Sequence, residues 1–206
     1  LKNAMRQAPD CILIGEIRDR DTMQAAISYA QTGHLCLATL HANNSYHALN
    51  RIINFFPLEN RPALFLDLSV ALRAIVSQRL VKKPDGKRFP TCEIMLNTRH
   101  ISDLIERGEV QAIKDAMEQT LAPGSQTFEQ DLFRLYHEGA ITIDEALANS
   151  DSPTNLSWLI NNAEFNINSG KEEKLGDVAM DFDSTDEEGA SFKEFQLNLD
   201  DEQPTA

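Results

Sequence analysis

In its first third the chain switches between very short apolar runs and longer stretches with helical spacing. Cys11–Ile14 (CILI) is apolar at every position, the pattern of a central strand buried on both faces of a parallel sheet. In DTMQAAISYAQ, Asp21 to Gln31, residues Ala25, Ala26, Ile27 and Ala30 suit a helix packed closely on that sheet, and Gly33 suits the position just past its end. Leu35–Leu40 (LCLATL) predicts a second buried strand. Asn44 or Ser45 can cap the next helix, which carries Leu49, Ile52 and Ile53 toward Pro57. Strand, helix, strand and helix in this order make the right-handed crossover unit of an α/β sheet.

Past Pro57 the pattern changes. Residues 62–78 read as one long amphipathic helix, with Leu66, Val70 and Ala74 on one row and Leu68, Leu72 and Ile75 on another. Arg79–Lys82 and Phe89–Leu96 read as a hairpin around KPDGK, a good turn sequence. From Thr98 onward the spacing is helical: HISDLIERG closed by Gly108, VQAIKDAMEQ, FEQDLFRLYHEG closed by Gly139, then ITIDEALANS. In the last of these, Thr142 and Glu145 suggest a capping box, and Ile143 and Leu147 share a face. NLSWLINNAEF, with the only tryptophan, ends the ordered part. The expected layout is an α/β part over residues 1–97, a helical subdomain over 98–168 and a disordered acidic tail over 169–206.

Charge sharpens this layout. Of the net −13, a share of −9 falls in residues 171–206, leaving −4 for everything before. The tail mixes acids with isolated Phe182, Phe192 and Phe195, without periodicity, and reads as a disordered, solvating segment. An acidic chain argues against nucleic acid as a partner, because phosphate binding needs a basic face. Cys11, Cys36 and Cys92 sit in apolar runs without metal-ligand spacing, as reduced thiols of a cytosolic protein do. No apolar stretch approaches the ~18–20 residues that span a bilayer. The sequence opens at Leu1, and Leu1–Ala8 reads like the end of a helix, so a fragment with its N-terminal part missing is expected.

The candidate chemistry lies where the strands end. In open α/β sheets ligands bind beyond the carboxyl ends of the strands. Glu16 and Arg18 follow the first strand, and Thr39 and His41 stand at the end of the second. If the strands are neighbours, the four converge on one edge, where a carboxylate can hold a metal-bound water and a hydroxyl and an imidazole can position a phosphate. An ordinary strand exit with a solvated charge cluster explains the same residues equally well. His34 and His41 are seven residues apart, roughly 23 Å along a strand at ~3.3 Å per residue, so they cannot share one zinc. On this geometry His34 is a structural or subunit-contact histidine. His47, His100 and His137 fall on helical stretches.

MRQAPDCILIGEIRD, residues 5–19, resembles the signature of the type II/IV secretion and type IV pilus motor ATPases, with Arg6, Pro9-Asp10, the aliphatics and Gly-Glu-aliphatic-Arg-Asp. TGHLCLATLHANNS is similar to the family's His box. SQRLVKK, CEIMLNT and HISDLIERGE resemble the C-terminal domain of its retraction branch, of PilT/PilU type, with the PilU-like side favoured. The resemblance covers residues 1–138. It implies the later part of a RecA-like P-loop ATPase core, ATP and Mg²⁺ as cofactors, and a hexameric ring in the bacterial cytoplasm. That ring would stand at the inner-membrane pilus base, with a platform protein or a sister motor as partner, and would power pilus retraction. On this mapping Glu16 is the carboxylate of an atypical Walker B and acts on a Mg²⁺-bound water. His41 and Arg18 are catalytic candidates, and Thr39 (sensor-like) and His34 are nucleotide-binding candidates. Two departures stand out. No GxxxxGK[ST] phosphate loop occurs, so the chain by itself is expected to be inactive. HISDLIER keeps only the aliphatics and the charged end of the retraction motif, which puts retraction by this protein alone in doubt. An assembly-type or type II secretion ATPase and a non-catalytic accessory subunit remain alternatives.

Overall fold

The computed structural model describes residues 9–120 and 122–168, with side chains through residue 163, all within one compact unit, Leu1–Glu172. The expected helix end at Leu1–Ala8, Arg6 and the acidic tail lie outside the described residues, as does a second unit, Glu173–Ala206.

Strand β1 (Cys11–Ile14) pairs in parallel with β2 (Leu35–Ala38), in register from Cys11↔Leu35 to Ile14↔Ala38. Helix α1 (Arg20–Gln31) makes the crossover. Asp19 caps it by accepting the Thr22 N–H at 2.8 Å, and Gly33 takes φ +93° just past its last turn. The expectation of strands buried on both faces is overturned among the described residues. Ile12 and Ile14 pack into the core with Met23 and Ile27 of α1, but Leu13 is 75% exposed, and Leu35 and Leu37 on β2 are exposed with it. The apolar sequence is continuous, yet this two-stranded sheet has a cover on one face only. β2 also ends at Ala38 rather than Leu40, because its ladder partner ends at Ile14.

Asn44 caps α2 (Ser45–Asn54), and a short 3₁₀ turn over Leu58–Asn60 leads into α3 (Arg61–Ala71). The helix expected over 62–78 therefore stops early. Residues 74–82 join the hairpin instead: β3 (Ala74–Lys82) pairs antiparallel with β4 (Arg88–Leu96) along its whole length. Two features favour the strand. Ile75 and Val76 are β-branched and adjacent, and from Ala74 to Lys82 exposed positions alternate strictly with the more covered Ile75, Ser77, Arg79 and Val81, the two-residue period of a strand. Asn97 closes the end of α3, donating its side-chain amide to Ser69 O and Leu72 O at 2.9 Å each. Leu64 and Leu68 face the core, and the Leu66–Val70 row is exposed. In the KPDGK turn Gly86 has φ +82° and donates its N–H to Lys83 O.

Helix α4 (Arg99–Glu106), a 3₁₀ turn over Val110–Ala112 and α5 (Ile113–Glu118) complete a first hydrophobic cluster that runs from Ile12 to Met117. Helices α6 (Phe128–His137), α7 (Ile143–Asn149) and α8 (Pro153–Asn168) form a second around Phe128, Leu132 and Leu156, with Val81 of the hairpin inserted. The capping box belongs to Thr127 and Gln130 of α6. At α7 only half of the expected box exists: Thr142 accepts the Glu145 N–H, but the Glu145 carboxylate accepts the Lys82 N–H at 2.8 Å. Trp158 is 65% exposed.

Candidate active site

The parallel pairing of β1 with β2 brings their carboxyl ends together, and Ile17 fixes the joint. Its side chain is buried, and its N–H donates to Thr39 O at 3.0 Å, one step beyond the strand ladder. The Thr39 hydroxyl donates to Gly15 O. A Cβ on Gly15 would meet nothing within 4 Å, so the described surroundings set no steric demand for glycine there.

With the backbone pinned on both sides, the Glu16 carboxylate stands between two cations. Oε2 accepts from Arg18 Nε at 2.6 Å and Nη2 at 2.5 Å, and Oε1 lies 3.2 Å from His41 Nε2. Glu16 is largely covered (17% of its side chain exposed), whereas Arg18 and His41 are open to solvent. The Arg18 hydrogen bond holds the Glu16 carboxyl below its ordinary range, against a partial desolvation that pushes it up. Arg18, His41 and Arg51 add their charge in the same lowering direction. In return Glu16 holds the Arg18 guanidinium protonated more firmly than usual. A carboxylate ionised this firmly is a weak base and a good acceptor. It suits holding a water or a hydrated cation better than taking a proton outright.

The charged strand exit thus divides into two functions. Asp19, grouped with Glu16 and Arg18 in the sequence, is a helix cap, and its carboxyl is lowered by the Thr22 hydrogen bonds. Four of the sequence candidates, Glu16, Arg18, Thr39 and His41, meet at one edge. His34 is not brought to them. It stands at the other end of β2, where Nδ1 lies 3.2 Å from Tyr29 O and 3.0 Å from Thr32 Oγ1 and its ring meets Tyr29 edge-on. Arg51, whose charge reaches Glu16 from α2, carries no local sequence signal, since it reads as an ordinary helix-surface arginine.

No group of three or more His, Cys, Asp or Glu that could enclose a metal occurs among the described residues. The donor set is one carboxylate. That fits Mg²⁺ only in the way it is often bound, through few protein oxygens with its remaining positions on water and phosphate.

The family description "Type II/IV secretion system protein" matches residues 1–147. This chain belongs to that family. Over 161 residues it is 52% identical to the type IV pilus ATPase PilU of Pseudomonas aeruginosa, covering 78% of this chain and 42% of PilU. It is 35% identical over 156 residues to the PilT retraction ATPase of the same organism, covering 76% of this chain and 45% of PilT. The crystal structure of the pilus retraction motor PilT with bound ADP superimposes with a TM-score of 0.69 at 35% identity, over 76% of this chain and 44% of that one. The α/β fold is therefore that of the secretion and pilus ATPases, and the chain spans less than half the length of these relatives.

Proposed function

We propose that this chain supplies the acidic half of an ATP-hydrolysing site in a pilus-retraction motor of PilU type. The observation that carries the reading is Glu16: a firmly ionised carboxylate at the joined ends of two parallel strands, flanked by Arg18 and His41. The 52% identity to PilU, against 35% to PilT, favours the PilU side of the branch.

ATP and Mg²⁺ are the cofactors of this reading, and the bound ion would supply charge stabilisation for phosphoryl transfer. Glu16 is the residue that would hold the ion, through its hydration water. Arg18 and His41 hold the carboxylate in place and keep it ionised, and Thr39 fixes the bend that brings the two strand ends together. His34 acts away from this edge, at a nucleotide or subunit contact. The chain's own sequence contains no GxxxxGK[ST] loop to cradle the β- and γ-phosphates, so a phosphate loop outside these 206 residues must complete the site. In this proposal residues 1–97 close an ATPase domain, 98–168 form a helical subdomain and 169–206 are an acidic tail. The assembled motor is a hexamer in the cytoplasm at the pilus base, working on the membrane platform alone or with a sister motor. No helix among the described residues is long and apolar enough to cross a membrane.

The test is a chimera in which this chain replaces the matching segment of P. aeruginosa PilU. The chimera is expected to hydrolyse ATP at a rate comparable to intact PilU, and the 206-residue chain alone to show no turnover above background. A folded, assembled chimera without turnover, beside an active PilU control, would overturn the proposal.

A further inference from the structure

His41 and Ala42 are followed by Asn43, Asn44 and Ser45, and each of the three is tied to a different residue of the hairpin or the loop after α7. Asn43 O accepts from Arg79 Nη2 at 3.2 Å. Asn44 Nδ2 donates to Asp151 Oδ2 at 2.7 Å, and Asn44 Oδ1 accepts the His47 N–H, capping α2. Ser45 gives both its N–H (2.7 Å) and its hydroxyl (2.6 Å) to Glu93 Oε1, on a carboxylate buried in β4.

Arg79 is the hub. Besides Asn43 it donates to Asn149 O at 2.6 Å and pairs with Asp151 Oδ1 at 2.5 Å. Its guanidinium lies 3.9 Å over the ring of Phe128, a fully buried residue of the second core. Four partners from α6, the end of α7, the loop at 151 and the loop at 43 use the fork and the flat face of one side chain, a combination that lysine lacks. The hydrogen bonds of Asn44 act beside it: with the amide nitrogen on Asp151, the amide oxygen is free to cap the helix, so the Arg79–Asp151 pair also orients the cap.

We propose that Arg79, through Asp151 and the Asn43–Ser45 segment, is a positioning residue that holds His41 against Glu16 and makes that contact depend on the helical subdomain. This rests on the reading of Glu16 and His41 as the active edge. The physical argument is one of leverage. Two residues separate His41 from Asn44, the loop is pinned at its start by Thr39 on Gly15, and at its far end Arg79, Asp151 and Glu93 hold it alongside the capped start of α2. Displacing the hairpin or the loop at 151 displaces that end.

The experiment uses the 206-residue chain and two variants, Arg79→Met, which keeps an aliphatic stem over Phe128, and Asp151→Asn, which leaves Asn44 a partner. Amide hydrogen exchange and the nuclear Overhauser contact between the His41 ring and the Glu16 side chain are measured by NMR. In Arg79→Met, exchange at residues 42–47 is expected to rise by about tenfold or more through local opening, while β1 and α1 stay within about twofold. The His41–Glu16 contact weakens with it. Asp151→Asn moves both readouts in the same direction by less, and serves alone if Arg79→Met fails to fold. Unchanged exchange at 42–47 in both variants overturns the proposal. So does an increase spread evenly over β1, α1 and α6, which would make Arg79 a general stabiliser. Neither readout depends on ATP turnover, so the loss of the catalytic reading of Glu16 would be seen separately.

Discussion

Two arginines, Arg18 and Arg79, each pair with a carboxylate, and the contrast between them organises the molecule. Arg18 is mostly exposed and holds Glu16 at an open edge, with no other hydrogen-bond partner among the described residues. Arg79 is mostly covered, bonds three residues in two segments, Asn43 and the Asn149–Asp151 stretch, and lies over a ring in a third. Exposed pairs contribute little to stability, whereas a covered cation stripped of one partner leaves a desolvated charge behind. The first pair therefore contributes little to the fold, and the second is over-determined, as a joint between two cores must be.

The joint should fail hardest when its floor is removed. Phe128→Ala deletes a fully buried ring of the second core and the face on which Arg79 lies, and is expected to cost about 3–5 kcal/mol in urea denaturation. Arg79→Met should cost about 2 kcal/mol, less than the loss for a wholly buried pair because its partner is only part-covered, while Arg18→Met leaves the denaturation midpoint in place. Equal losses for the two arginine variants would erase the comparison. The Phe128→Ala and Arg79→Met losses should also sum to less together than apart, because the two side chains touch.

Acid should act on the joint as well. The Asp151 carboxyl is held below its ordinary value of 3.8 by Asn44 and Arg79, which outweigh the burial that raises it. A depressed folded value means that its stabilisation is complete above the unfolded value and is lost as pH falls through the folded one. Thermal melts taken downward from pH 5 should show a steeper fall for the natural chain than for Asp151→Asn. The smallest effect is expected at Leu13→Ser on the open sheet face, within about 0.5 kcal/mol by urea denaturation, since that side chain has little burial to lose.

What could be read from the sequence follows the range of the interactions. β1, α1, α2 and the helix stops at Gly108 and Gly139 declare themselves through local periodicity, caps and positive-φ glycines. Glu16, Arg18, Thr39 and His41 were legible because short elements of one crossover unit deliver them to one edge. The boundary at Ala71 was hidden, since Leu72–Gln78 continues a helical spacing that only the pairing of Ala74 with Leu96 overrides. The exposure of Leu13, Leu35 and Leu37 was equally unreadable, because apolar runs do not say how many faces find a cover. Arg79 carries no local signal of its role: its hydrogen-bond partners stand 36 and about 70 residues away, and nothing in SQRLVKK points to them.

The most direct test of the account is Glu16→Gln in the PilU chimera, with ATP turnover measured beside the unaltered chimera. Loss of the ionised carboxylate should lower kcat by about 10²-fold or more, the scale of a removed water-positioning acid, with assembly and nucleotide binding retained. Turnover that survives Glu16→Gln within a few-fold would contradict the assignment of this edge as the acidic half of the active site.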